Sequence, residues 1–282
     1  MIAKFDGQCR ICSNPVLTGN DIEYNKELPK GQQVAHTSCL PKPEPKEDLD
    51  EPQFFSDWES LDKPIEWLVD GLVQIGGAML FAAESKAGKS TTTGDLVRAL
   101  LQGGEFAGRQ VKKSKVLYCV FDEPVETLAE RFKNLGIDIR EESRAGRLNI
   151  ITSPPGKGRY EEFVRRAWEK SNADVLVTDT LFDLLGLEGE SVMNAYSVIK
   201  PALTNLRGLA KGKSQIWITH ANKGDGRSGM SIRNVIGSGA FAASADTILM
   251  LESDPKSNDR FLSAKGRRGV YLARTFVVHR LQ

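Results

Sequence analysis

The 282-residue sequence has almost no net charge, few cysteines and histidines, and no long apolar run. Lysine and arginine together number 38 against 37 aspartates and glutamates, a formal charge of +1. So even a balance supplies no bulk field for a polyanion, and any nucleic-acid contact has to come from local patches. No stretch approaches the roughly 20 apolar residues of a membrane span. The opening MIAKFDGQCR lacks the apolar segment of a signal peptide. The expectations are therefore a cytoplasmic location and no membrane partner. A second acidic cluster suited to nucleotide polymerisation is also missing, so a primase role has no support in the sequence. What is present, 40% hydrophobic and 27% charged residues, fits a soluble globular chain with one sizeable domain and a small one.

The most informative segment is Ala83-Glu84-Ser85-Lys86-Ala87-Gly88-Lys89-Ser90, followed by Thr91. It reads as a phosphate-binding loop of the relaxed pattern, with alanine in the usual first glycine position. Small residues and Gly88 let the backbone curl so that several N–H groups converge on phosphate. Lys89 reaches the β- and γ-phosphates as a point charge, and the Ser90 hydroxyl can ligate Mg²⁺. Ala78–Ala82 upstream suits a buried strand. Downstream, Leu96, Val97, Leu100 and Leu101 recur at helical spacing until Gly103-Gly104. Strand, turn and helix place a helix N-terminus at the anion.

Three of the four cysteines fall in the first 40 residues. Cys9 and Cys12, then His36 and Cys39, form two close pairs that suit tetrahedral Zn²⁺. Four protein ligands leave no open coordination position, so the metal is expected to be structural. Pro15, Gly19, Asn20, Asp21 and Gly31 mark turns, with Ile22 and Tyr24 on a hairpin. Residues 1–41 thus read as a small zinc-finger-like module, 42–62 as a charged, proline-containing linker, and 63–282 as the main domain.

Further buried strands are expected at Lys115–Phe121, Leu148–Ile151, Asp174–Thr180 and Gln215–Thr219. Amphipathic helices are expected around Val125, Leu128, Phe132 and Leu135; around Tyr160, Phe163, Val164, Ala167 and Trp168; and around Val192, Ala195, Ile199, Leu203 and Leu206. Strands alternating with helices imply an α/β fold, a mostly parallel sheet flanked by helices. Asp122, Glu123, Asp179 and His220 all fall at strand ends, where such folds place chemistry. Asp122 and Glu123 are alternative candidates for the base that activates water. Asp179 is a candidate for the Mg²⁺ shell and His220 for sensing the γ-phosphate. Ala221–Asn234 is a polar, glycine-rich loop without aromatic residues.

In this order the motifs resemble the RecA/DnaB-like ATPases, over roughly residues 63–282. Asn234–Leu251 (NVIGSGAFAASADTILML) resembles a signature of the hexameric RepA-like helicase branch. The resemblance implies a RecA-like P-loop fold, ATP as substrate, and an oligomeric ring, possibly a hexamer. Lys265 and Arg267, in FLSAKGRRG, are similar to the element such rings insert into a neighbour's site to stabilise transition-state charge. Single-stranded DNA or RNA is the implied partner, contacted by the segments Phe182–Ser191 and Ala221–Asn234. The leading expectation is thus a motor or helicase-type ATPase acting on single-stranded nucleic acid in replication or recombination. The alternatives are a regulatory or loading ATPase whose zinc module binds protein, and a nucleic-acid-binding adaptor with a degenerate ATPase.

Overall fold

The computed structural model describes residues 1–40, 56–58, 62, 64–189, 195–210, 212–221, 235, 238–253 and 259–266, and the backbone course of 271–278. The chain divides into two compact units, Met1–Lys63 and Pro64–Gln282. The linker segment 42–51 lies outside the described residues.

In the first unit, β1 (Gly7–Gln8) pairs antiparallel with β2 (Pro15–Val16), and β3 (Ile22–Tyr24) with β4 (Val34–His36). The hairpin expected at Ile22 and Tyr24 is present. A single 3-10 turn, Thr37–Cys39, follows β4. The buried core is Ala3, Cys9, Val16, Ile22 and Ala35. Five side chains of this size bury too little apolar area to offset the ordering of the unit's backbone.

The second unit begins with β5 (Trp67–Val69) and β6 (Val73–Gln74), then β7 (Ala78–Glu84), α1 (Lys89–Gln102), β8 (Gly104–Phe106) and β9 (Arg109–Val111). It continues through β10 (Val116–Val120), α2 (Val125–Asn134), α3 (Ile139–Arg144), β11 (Leu148–Ile151), α4 (Tyr160–Ser171), β12 (Val175–Asp179) and α5 (Leu181–Leu185). Next come α6 (Tyr196–Gly208), β13 (Ser214–Ala221), α7 (Ser238–Ala242), β14 (Thr247–Ser253), β15 (Arg260–Gly266) and β16 (Tyr271–Val278). The principal sheet has the order β11-β10-β12-β13-β7-β14-β15-β16. It is parallel from β11 through β14 and antiparallel between β14, β15 and β16.

A strand covered on both faces needs apolar residues along its length, and β10 and β7 as far as Ala83 have them. Met79, Phe81 and Ala83 of β7, with Val116, Tyr118 and Val120 of β10, meet α1 and α2 through Leu96, Leu100, Leu128 and Phe132. Ala78, Leu80, Ala82, Leu117 and Cys119 point to the opposite face, where α4 to α7 contribute Val164, Trp168, Leu184, Ile199, Leu203 and Phe241. Two expectations are corrected. Val125, placed in the apolar stripe of α2, is exposed, because it opens the helix beyond the end of the sheet. Phe182, expected to face a polymer, packs in the core with Leu184 and Leu185, its ring edge-on to Phe241 at 6.0 Å.

Helices α1 and α2 approach closely at Gly94. A Cβ there would lie 3.0 Å from Leu135 Cδ1 and 3.4 Å from Arg131 Cδ. Gly94→Val is expected to destabilise the domain by about 2 kcal/mol through overpacking, lowering the urea midpoint with little change in slope. A midpoint at or above wild type would show that this contact does not set the helix spacing.

Candidate functional site

The turn Ser85–Gly88 connects β7 to α1. Lys86 and Gly88 have positive φ, 65° and 98°, and at Gly88 the missing Cβ makes that conformation accessible. The Ala87 N–H closes the turn on the Glu84 carbonyl at 3.2 Å. The first helical hydrogen bond runs from the Thr92 N–H to the Gly88 carbonyl, 3.0 Å. The N–H groups of Lys89, Ser90 and Thr91 precede it, and no side chain caps the helix. These donors and the helix dipole suit a phosphate group. Ala83 and Glu84, expected in the cradle, are strand residues paired with His220 and Ala221. They form its base, and Ser85–Thr91 form the turn and the helix entry.

Three strand ends meet this turn. Val120 of β10 is level with Asp179 of β12, Asp179 with Ile218 of β13, and His220 of β13 with Ala83 of β7. The Lys89 ammonium is ion-paired with Asp179 and lies 3.3 Å from Asp122 Oδ2. Lys89 is 7% exposed and Asp179 fully buried. Burial raises the Asp179 carboxyl to about 6 against the opposing pull of Lys89, and its Oδ2 has no hydrogen-bond partner. An orphaned buried carboxylate oxygen beside the helix that starts at Lys89-Ser90 fits a hard cation, with Ser90 and Asp179 as donors. His220 is the one exposed residue of β13 between buried neighbours. Partial desolvation, then repulsion by Lys89, lowers its imidazole below the ordinary value, so it stands neutral at pH 7 and offers a hydrogen bond rather than a charge.

Asp122 and Glu123, adjacent in sequence, have different surroundings. Asp122 points to Lys89, whereas Glu123 is gripped by both Nη atoms of Arg131 from α2. Arg131 was not among the expected site residues. It lies on the polar flank of the Leu128–Phe132 stripe, and the pattern of its own helix carries no sign of a partner outside it.

Lys265 occupies β15 opposite Ile248, and Ile248 is level with Leu80 of β7. From Leu80 to Ser85 the chain advances about 16 Å at strand rise. Lys265 is therefore remote from its own chain's phosphate turn. Arg267, and Ala221–Asn234 beyond Ala221, lie outside the described residues.

In the first unit the Sγ atoms of Cys9, Cys12 and Cys39 and a ring nitrogen of His36 lie within 4.8 Å of one another. His36 Nδ1 is 3.6 Å from Cys12 Sγ and 3.8 Å from Cys39 Sγ. A tetrahedron with the ~2.3 Å arms of a zinc–sulfur site has edges of about 3.8 Å. Burial alone would raise the Cys9 thiol, but N–H groups of Cys12, His36 and Ile11 bring it down to about 6. Hydrogen bonding to Cys12, then burial, pushes Cys39 up to about 11. Adjacent sulfurs that cannot all ionise without a counter-charge are a donor set that fits Zn²⁺. The fourth cysteine, Cys119, is core, and burial holds its thiol at about 12.

The sheet order, the phosphate turn and the lysine and acids converging on it define a RecA-like P-loop ATPase. A family model described as an AAA domain matches residues 43–226, and the chain belongs to that family. A KaiC-like protein from the hyperthermophilic archaeon Pyrococcus horikoshii OT3 shares the fold, with a TM-score of 0.55 at 17% identity over 78% of this chain and 93% of that one. No curated protein sequence matches. Among the described residues no helix is long and apolar enough to cross a membrane.

Proposed function

We propose that this ATPase acts as an oligomer on single-stranded nucleic acid, each site being completed by a neighbouring copy. The observation that carries the shared site is the position of Lys265, in register with Leu80 and about 16 Å along the strands from its own phosphate turn. A cation so placed serves a nucleotide only across a subunit interface. Lys265 and Arg267 are then the elements that stabilise transition-state charge in the adjoining site.

Within one chain, Lys89 exchanges its carboxylate partners for the β- and γ-phosphate oxygens. Ser90 and Asp179 would hold Mg²⁺, the charge of which would offset that of the phosphates. Asp122, released from Lys89, accepts the proton of the attacking water as its oxygen bonds to the γ-phosphorus and the bond to the bridging oxygen breaks, leaving ADP and phosphate. Glu123, tied to Arg131, keeps the β10 end in place, and His220 hydrogen-bonds the γ-phosphoryl group. In the N-terminal unit, Cys9, Cys12, His36 and Cys39 bind a structural zinc that supplies the stability its small core lacks.

A second reading, a loading or regulatory ATPase whose zinc unit grips a protein, is favoured by Phe5, Ile11, Leu17 and Tyr24, all exposed on that unit. Steady-state ATPase assays decide between them. Single-stranded DNA is expected to bind and to raise turnover, and the polymer reading fails if DNA does neither. Asp122→Asn is expected to lower kcat by about 10²–10⁴-fold and Lys265→Ala to lower it as well. Mixing the two inactive variants should restore part of the activity, because some interfaces then carry both intact residues. No recovery in a mixture shown to co-assemble would remove the shared site. For the zinc unit, one zinc per chain is expected by elemental analysis. Chelation should unfold the Met1–Lys63 unit while nucleotide binding persists, and an unchanged fold in the metal-free chain would contradict a structural role.

A further inference from the structure

A second cation stands beside the phosphate turn, contributed by the same chain. Strand β14 runs parallel to β7 with Leu251 level with Ala83, so Ser253, two residues on, is level with Ser85. Strand β15 returns antiparallel and sets Arg260 opposite Ser253. Arg260 thereby arrives at the end of the sheet that carries the turn. A Cβ built on Gly88 would lie only 3.9 Å from Arg260 Nε. The guanidinium is oriented by its own neighbour, with Nη1 donating to the Asp259 carbonyl at 3.1 Å.

The two cations flank the turn from opposite sides. Lys89 leans toward β12 and β10, where Asp179 and Asp122 receive it, and His220 lies on the strand between, level with Ala83. Arg260 approaches from β14 and β15. The acids mark the side where the terminal phosphoryl group is cleaved, so the opposite flank borders the part of the nucleotide that ATP and ADP have in common. A planar guanidinium with forked donors suits two phosphate oxygens at once.

We propose that Arg260 binds the α- and β-phosphates of the nucleotide held by its own chain, a ground-state contact made equally to ATP and ADP. The proposal rests on the ATPase reading and gives Arg260 a role opposite to that of Lys265, which acts on the neighbour's transition state. Uniform binding of this kind raises affinity without accelerating the chemical step.

The test measures ADP dissociation constants with a fluorescent ADP analogue, and ATPase kcat and KM, for wild type, Arg260→Ala, Arg260→Lys and Lys89→Ala. Losing one charge-assisted phosphate contact corresponds to roughly a 10–100-fold weakening. Arg260→Ala is expected to raise the ADP Kd and the ATP KM by that factor while kcat stays within about twofold. Arg260→Lys should fall between, since an ammonium keeps the charge but not the fork. Unchanged ADP affinity in Arg260→Ala overturns the proposal, as does a fall in kcat at constant affinity. A drop in the nucleotide-free melting midpoint that tracks the lost affinity, with no recovery in Arg260→Lys, overturns it too by making the role structural. If wild type neither binds ADP nor hydrolyses ATP, or Lys89→Ala binds nucleotide like wild type, it is the ATPase reading that fails.

Discussion

The ion pair between Lys89 and Asp179 governs the rest of the site. Both groups are withdrawn from water, and neither charge could be held there without the other, because an unpaired buried charge costs several kcal/mol. In the free protein each partner therefore stands in for a ligand of the other. Lys89 neutralises a carboxylate that would otherwise need a cation, and Asp179 neutralises an ammonium that would otherwise need phosphate. Moving Lys89 onto phosphate leaves Asp179 buried and uncompensated, its Oδ2 already without a hydrogen-bond partner. On the proposed reading, nucleotide without a divalent cation is thus a poor ligand on electrostatic grounds, and the two are coupled through a single side-chain exchange.

The sheet order sets the geometry of that exchange. β13 lies between β7 and β12, so two strand spacings, about 9–10 Å, separate the phosphate turn from Asp179. An extended lysine spans most of this interval, and Lys89 reaches across from the first position of α1. The intervening strand carries the exposed His220 one residue before its end, level with Ala83 and next to the turn. Close packing of α1 on α2 at Gly94 fixes the opposite wall, bringing the stem of Arg131 to where its guanidinium holds Glu123.

What could be read in the sequence follows from the range of each interaction. The strands at Ala78, Val116, Val175 and Gln215 were legible because burial on both faces demands unbroken apolar runs. The residues at their carboxyl ends were legible because a parallel sheet gathers them at one edge. Arg131 and Arg260 were not, because each acquires its meaning from a partner outside its own element, Glu123 ahead of α2 and Gly88 in the turn ahead of α1. Phe182 was misassigned for a related reason. Its position after Asp179 resembles a contact loop, yet the apolar run Leu181, Phe182, Leu184, Leu185 is consumed by the second core. Asp122 and Glu123 were indistinguishable as adjacent acids, and separate only when one faces Lys89 and the other Arg131.

The cations of the second unit divide by position along the strands, and that division constrains assembly. Lys89 and Arg260 gather at the carboxyl end of β7, beside the phosphate turn of their own chain. Lys265 sits farther back, level with Leu80, and no rotamer of a lysine covers about 16 Å of strand. Moving it to its own site would require re-registering β15 against β14, which would turn the buried Leu262 to the other face of the sheet. The register that packs the core is therefore the one that withholds Lys265 from its own nucleotide. On the proposed reading, binding is a property of one chain and rapid hydrolysis a property of the interface. Such a division lets a monomer load nucleotide without consuming it until a neighbour docks.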